Sequence, residues 1–374
     1  MKHRQHILVI RFSALGDVAM VVPVVSSLAA QYPDLRITVL SRPFARPLFE
    51  DLAPNVGFME ADIKGEYRGV RGLNTLYRRL VAKQFTHVAD LHNVLRSEFL
   101  RLRFNIGRFR VEHIDKHRRD RRHLVSYRKK VKEPLPTSFQ NYLEVFRRLG
   151  FPIDQPSFVS LFPPEGGNIN LLPAVVGPKR SWEHWIGVAP FAAHQGKVYP
   201  KDKMEQVLRL LTEQYPRCRI FLFGRGKEEA STFPKWVRQM PACSDVGKHL
   251  EGIHQELILM SHLDVMLTMD SANMHLASLT ATPVVSVWGA THPFAGFMGW
   301  GQRRENAICL NLDCQPCSIF GQKRCKYGDY HCLTAIAPET IVQRIAALLP
   351  PKETQNIPQR LTSNSTNNYS PLKH

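Results

Sequence analysis

No apolar run in this sequence approaches the roughly 18–20 residues that a membrane-spanning helix requires; Val18–Ala30 is short and is broken by Pro23 and two serines. An integral membrane protein is therefore not expected. Two nucleotide-binding signatures are missing as well, G-x-G-x-x-G and G-x-x-x-x-G-K-[ST], which removes support for a conventional dinucleotide or Walker ATP site. Seven cysteines in 374 residues are too few for a disulfide scaffold. Acidic residues are scarce too: 32 Asp+Glu stand against 50 Lys+Arg, a formal charge of +18. An excess of this size points to an anionic partner.

What is present is ordinary globular material, 44% hydrophobic, on a chain long enough for two cores. The basic start MKHRQ leads into only a short apolar run, so it reads as a first core strand of a cytosolic protein rather than as a leader. Short apolar strands alternate with helical patterns: ILVIRF (7–12), Val18–Ala30, RITVL (36–40), a helix near 73–84 and THVADL (86–91). After a Pro/Gly-rich passage the alternation resumes with WIGVAP (185–190) and RIFLFG (219–224), then VMLTMD (265–270) and PVVSVWG (283–289), with helices near 203–215, 226–239 and 253–262. Alternation of this kind predicts parallel sheets covered by helices on both faces. The expected organisation is two α/β domains, 1–165 and 183–349, joined by a linker at 166–182. A further helix is expected from Pro338 to Leu349. Residues 350–374 have almost nothing to bury and are expected to be disordered.

Between Arg96 and Lys132 fourteen Lys/Arg face four acids, a local excess of ten. The run is either a solvated surface or a phosphate-binding one, and its sparse aromatics (Phe104, Phe109, Tyr127) argue against nucleic acid.

Several segments end a strand in a small-residue turn, the place where open α/β sheets bind ligands. RFSALGD (11–17) brings Asp17 to such a turn, as a helix cap or as an acid facing a ligand. In MDSANMH (269–275) a strand ends at Asp270, and Ser271, Ala272 and Asn273 open a helix carrying His275. Free N–H groups there would seat a diphosphate, and His275 would either donate to the same oxygens or be satisfied in the core. The turn WGATHP (288–293) is expected beside it, completing a pocket. Lys197, in APFAAHQGKVYP, is a phosphate cation or a surface lysine; Glu228, in FGRGKEE, is a ribose contact or a first-turn helix acid.

Taken together, SALGDVAMVVP, the Lys197 loop, GRGKE and above all D-S-A-x-M-H-L-A-x-L…P-V-V-x-x-W-G-A-T-x-P resemble glycosyltransferase family 9, the ADP-heptose:lipopolysaccharide heptosyltransferases, across roughly residues 6–349. The resemblance implies a GT-B fold, two Rossmann-like doubly wound domains facing a central cleft, with acceptor on the first and sugar nucleotide on the second. It implies inverting transfer with Asp17 as general base and Lys197 meeting leaving-group charge, without a metal or other cofactor. Lys197, Ser271, Ala272 and His275 match the diphosphate positions, Asp270 the aspartate that opens that turn and Glu228 the ribose contact, with Asn273 a further expected donor contact. Ser13, Arg118, Arg119, Arg121 and Arg122 are the expected acceptor contacts. The implied partners are an ADP-sugar donor and an anionic, lipid-linked saccharide at the inner membrane surface. Ser271-Ala272 stands where Thr-Gly is usual, which keeps the hydroxyl and keeps close approach if Ala272 has negative φ. From the residues alone, a transferase using another nucleotide sugar and a non-catalytic nucleotide- or nucleic-acid-binding protein stay open. So do the roles of Cys314, Cys317, Cys325 and Cys332: a structural metal, reduced packing residues, or disulfides.

Overall fold

A computed structural model describes residues 5–351; the tail expected to be disordered lies outside the described residues from 352 onward. Five strands, β1 (His6–Ile10), β2 (Arg36–Ser41), β3 (Val56–Glu60), β4 (His87–Asp90) and β5 (Arg110–His113), form a first sheet in the order β3-β2-β1-β4-β5. Six more, β6 (His184–Ala189), β7 (Cys218–Leu222), β8 (Cys243–Asp245), β9 (Val265–Met269), β10 (Val284–Val287) and β11 (Ala307–Ile308), form a second sheet in the order β11-β10-β9-β6-β7-β8. Every ladder is parallel. Both sheets grow outward in both directions from their first strand, the doubly wound order, so each has a switch point: between β1 and β4 in one and between β6 and β9 in the other.

The helices of the first half are α1 (Leu15–Ala19), α2 (Val21–Gln31), α3 (Gly69–Val81), α4 (Leu95–Ile106), α5 (Arg118–Leu124) and α6 (Ser138–Arg148). Those of the second are α7 (Lys201–Gln214), α8 (Lys227–Gln239), α9 (Gly252–Ser261), α10 (Ala272–Ser278), α11 (His331–Thr334) and α12 (Pro338–Ala346). The helical pattern expected over Val18–Ala30 divides at Met20 into α1 and α2, and Pro23 falls in the first turn of α2, where its missing N–H costs nothing.

Strand side chains alternate between two cores, as a period of two requires. Ile7 and Val9 face one apolar cluster while Leu8 and Ile10 face another. In the second sheet, Ile186, Val188, Ile220 and Leu222 enter a third cluster. Trp185, Phe221 and Met266 join the first, which therefore runs unbroken from one half to the other. Gly187 sits inside β6 because a Cβ there would lie 2.4 Å from the Met266 sulfur. The two halves also touch directly: a Cβ on Gly16 of α1 would stand 2.6 Å from the His275 ring and 3.4 Å from the Ala272 Cα of α10.

Candidate active site

The loops leaving both switch points meet in one cleft of about 710 Å³. Asp17 enters it from the turn after β1, Lys197 from the loop after β6, and Asp270, Ser271, Ala272, Asn273 and His275 from the turn after β9. Glu228 and Lys227 stand at the start of α8 on the same wall, and Phe191, Phe297 and Phe320 supply apolar surface.

Asp17 is the third residue of α1, and its Oδ2 accepts from the Ala14 N–H at 3.1 Å and pairs with Arg11 Nη2 at 2.6 Å. Both contacts fall on Oδ2, which leaves Oδ1 available to a ligand proton. The Arg11 guanidinium is buried and anchored by donating from Nη1 to the Leu91 carbonyl at 2.6 Å. Burial of the Asp17 carboxyl works to raise its pKa, but Arg11, the Ala14 N–H and His275 outweigh that and hold it below the usual carboxylate range. Asp17 is therefore ionised at neutral pH, while 32% of its side chain stays open to the cleft. From α6, the Tyr142 hydroxyl donates to the Asp17 carbonyl at 3.3 Å.

Across the cleft, Lys197 is no free surface lysine: its ammonium pairs with buried Asp270 at 2.9 Å. Ser271 caps α10 with an extended backbone and makes no side-chain bond to the helix amides; its hydroxyl meets Thr268 Oγ1 at 3.1 Å instead. The first N–H groups of α10 thus point to the cleft without an internal partner. Ala272 is absent from the positive-φ residues, which meets the backbone condition set for close approach. His275 is buried and its Nδ1 has no hydrogen bond, which sets aside the core-satisfied alternative. Burial lowers its pKa to about 4 against the opposing pull of Asp270 and Asp17, so the imidazole is neutral at pH 7.

Glu228 is an exposed first-turn acid paired with Lys201, and it lies on the cleft rim. The residues expected to contact an acceptor divide. Arg121 stacks over Phe297 at 5.0 Å and feels the charge of Asp17, which places it at the cleft margin. Arg118, Arg119 and Arg122 are exposed on α5 and Ser13 is half-buried; none of these four lines the cleft, since a seven-residue helix can turn only one face toward it.

The turn at 288–293 does not form a second wall either. Gly289 packs behind the Lys197 loop, where a Cβ would lie 2.5 Å from the Gly196 carbonyl, and the Ala290 N–H donates to that carbonyl at 2.7 Å. It supports the loop from inside, with His292 buried and bonded to Asn311 at 2.8 Å. All seven cysteines are free thiols, and among the described residues no group of three His, Cys, Asp or Glu side chains stands close enough to hold a metal ion.

Sequence reasoning missed Arg11, which reads as the polar end of a strand, and Lys116, whose half-buried ammonium is affected by Arg11, Asp17 and Arg121. Phe297 and Phe320 were also missed; they come from loops with no periodic signal. The only cue available for Arg11 is a cation directly after a four-residue apolar run.

The family model described as "Glycosyltransferase family 9 (heptosyltransferase)" matches residues 73–331. The chain belongs to glycosyltransferase family 9. Its relative in Haemophilus influenzae, the lipopolysaccharide core heptosyltransferase OpsX, is 21% identical over 76% of this chain and 79% of that one. Lipopolysaccharide heptosyltransferase 1 of Campylobacter coli is 26% identical over 27% of this chain, and the match spans only 30% of that relative; for lipooligosaccharide heptosyltransferase 2 of Campylobacter jejuni it spans 42%. A family 9 glycosyltransferase structure from Veillonella parvula superposes with a TM-score of 0.71 at 20% identity, over 92% of this chain and 97% of that one. The ADP-heptose heptosyltransferase II of E. coli gives 0.64 at 18% over 92% and 98%. The fold is thus the GT-B arrangement of this family, two Rossmann-like sheets facing a cleft.

Proposed function

We propose that this family 9 member is an inverting glycosyltransferase that moves a heptose from ADP-heptose to a lipid-linked lipopolysaccharide core acceptor at the cytoplasmic face of the inner membrane. The observation carrying the reading is a single cleft in which an ionised carboxylate, Asp17, opposes the uncapped start of α10 and the Lys197 ammonium. The acceptor hydroxyl gives its proton to Asp17 Oδ1 as its oxygen attacks the anomeric carbon. On the opposite side of that carbon the bond to the diphosphate breaks, and its electron pair leaves with the nucleotide. Lys197, the N–H groups of Ala272 and Asn273, and the helix dipole receive that charge. A carboxylate held below its usual pKa is a weak base, so proton transfer runs late, when the attacking oxygen has already become acidic through bonding to carbon.

Arg121 and Lys116 give the first-half side of the cleft a positive character suited to a phosphorylated acceptor. Glu228 is available to a ribose diol on the rim. Incubation of the purified protein with ADP-heptose and a core acceptor should release ADP and yield product of inverted anomeric configuration. A thermal-shift panel of ADP-, UDP- and GDP-sugars should rank the ADP donor first, because ligand at 100 times its dissociation constant adds about 2.7 kcal/mol. Release of no nucleotide from any donor would sink the reading and favour a non-catalytic nucleotide-binding protein.

A further inference from the structure

Helix α4 buries Ser97, Leu100 and Phe104 against the first half. At about 100° per residue these three form one face. The opposite face is apolar too: Leu95, Leu102 and Ile106 are 84%, 59% and 71% exposed. Positions 95, 102 and 106 fall within a narrow stripe, which half-buried Phe99 continues. A helix that is apolar on two opposing sides ordinarily has both covered; here the second lies open. Arg96 and Arg103 run along one flank of the stripe, the latter fixed over the Tyr77 ring at 4.8 Å, and Arg108 and Arg110 are exposed just beyond Ile106. On the other flank Glu98 is engaged by Arg101 at 3.8 Å.

The position of α4 matters as much as its composition. It follows β4 at the same sheet edge from which Asp17 projects, and the backbone N–H of Phe12 donates there to His92 Nδ1 at 3.4 Å. Leu95 therefore begins the stripe at the edge that carries the cleft, and Ile106 ends it about 17 Å farther along the helix.

We propose that this face of α4 docks on an anionic bilayer, with Leu95, Leu102 and Ile106 in the headgroup–acyl boundary and the flanking arginines on lipid phosphates. Charge complementarity decides the occupant. The segment from Arg96 to Lys132 carries an excess of ten positive charges, so a second copy would set two such segments against each other, whereas anionic lipid neutralises them. The assignment names the surface by which the protein proposed above would reach its lipid-linked acceptor. It rests on that reading for its purpose but not for its test.

The full chain is mixed, without donor or acceptor, with phosphatidylcholine vesicles containing or lacking phosphatidylglycerol, and bound protein is measured by sedimentation across a salt series. Binding should require phosphatidylglycerol and weaken as salt rises. The double variant Leu102→Glu/Ile106→Glu should lose at least about tenfold in partition, and Arg96→Gln/Arg103→Gln roughly fivefold per charge. The glutamate variant should turn over a soluble, delipidated acceptor at the wild-type rate. Leu102→Trp, a milder change, should shift its emission to shorter wavelength when anionic vesicles are added. Wild-type protein that ignores anionic vesicles, a glutamate variant that binds like wild type, or a dimer that this variant converts to monomer would overturn the proposal. Absence of transferase activity alongside intact vesicle binding would instead strike only the functional reading.

Discussion

His275→Gln should flatten the dependence of stability on acid. In the folded protein the imidazole has its pKa lowered by burial from 6.5 to about 4, so between those values the unfolded chain binds a proton that the folded chain does not. Stability from this source is complete above about pH 6.5, falls as pH drops through the interval, and stops changing below about pH 4. At 1.36 kcal/mol per pKa unit the loss amounts to about 3 kcal/mol. Glutamine has no such equilibrium. It would cost about 1–2 kcal/mol in packing at neutral pH, and the wild-type advantage should vanish or reverse near pH 4. His6 and His92, held mainly by burial at about 4 and about 3, add slopes of the same sign but are common to both proteins. Urea unfolding at several pH values from 7.5 to 4.5 reads the difference directly. Two curves that stay parallel through the interval would refute a buried neutral imidazole at the junction of α1 and α10.

Gly16→Ala should destabilise the protein by about 1–3 kcal/mol, since its Cβ would meet the confined His275 ring at 2.6 Å; the drop should show in urea midpoints, and turnover should fall with it. Lys197→Ala removes the cation that pairs with Asp270, and isothermal titration should find ADP binding weakened about 10–100-fold, the worth of one charge-assisted hydrogen bond. Arg11→Met takes away both the Asp17 ion pair and the bond to the Leu91 carbonyl, at a cost of about 2–3 kcal/mol. With Arg11 gone, burial of Asp17 prevails and its pKa rises, so the acid limb of kcat/KM should move to higher pH. An unmoved limb would count against Arg11 as the group that keeps this carboxylate ionised.

The strands that the sequence reveals are those with neighbours on both sides. β1, β2, β4, β6, β7, β9 and β10 are internal to their sheets and read as apolar runs, while β3, β5, β8 and β11 are the four sheet edges and went unseen. An edge strand such as Arg110–His113 is short and has no buried residue, its two exposed ends flanking two half-buried positions, so its pattern merges with the basic run around it. The same logic sorts the site. Asp17, Lys197 and Asp270–His275 were legible because each lies in the loop or first helical turn that follows an internal strand, where doubly wound sheets place ligands. The side proposed for the acceptor was not. A run of arginines shows charge but not facing, and only the fold turns Arg121 inward while Arg118, Arg119 and Arg122 stay exposed. Gly289 illustrates a third case: a glycine turn after a strand resembles a binding loop, yet this one is required by the backbone of the Lys197 loop behind it.

The most direct measurement is turnover and ADP affinity of Asp17→Asn side by side. Loss of the proposed proton acceptor should lower kcat by about 10²–10⁴-fold while ADP still binds within about threefold of wild type, because the proposed diphosphate seat belongs to the opposite wall. A variant that retains wild-type kcat would show that the carboxylate at the start of the chain does not take the acceptor's proton.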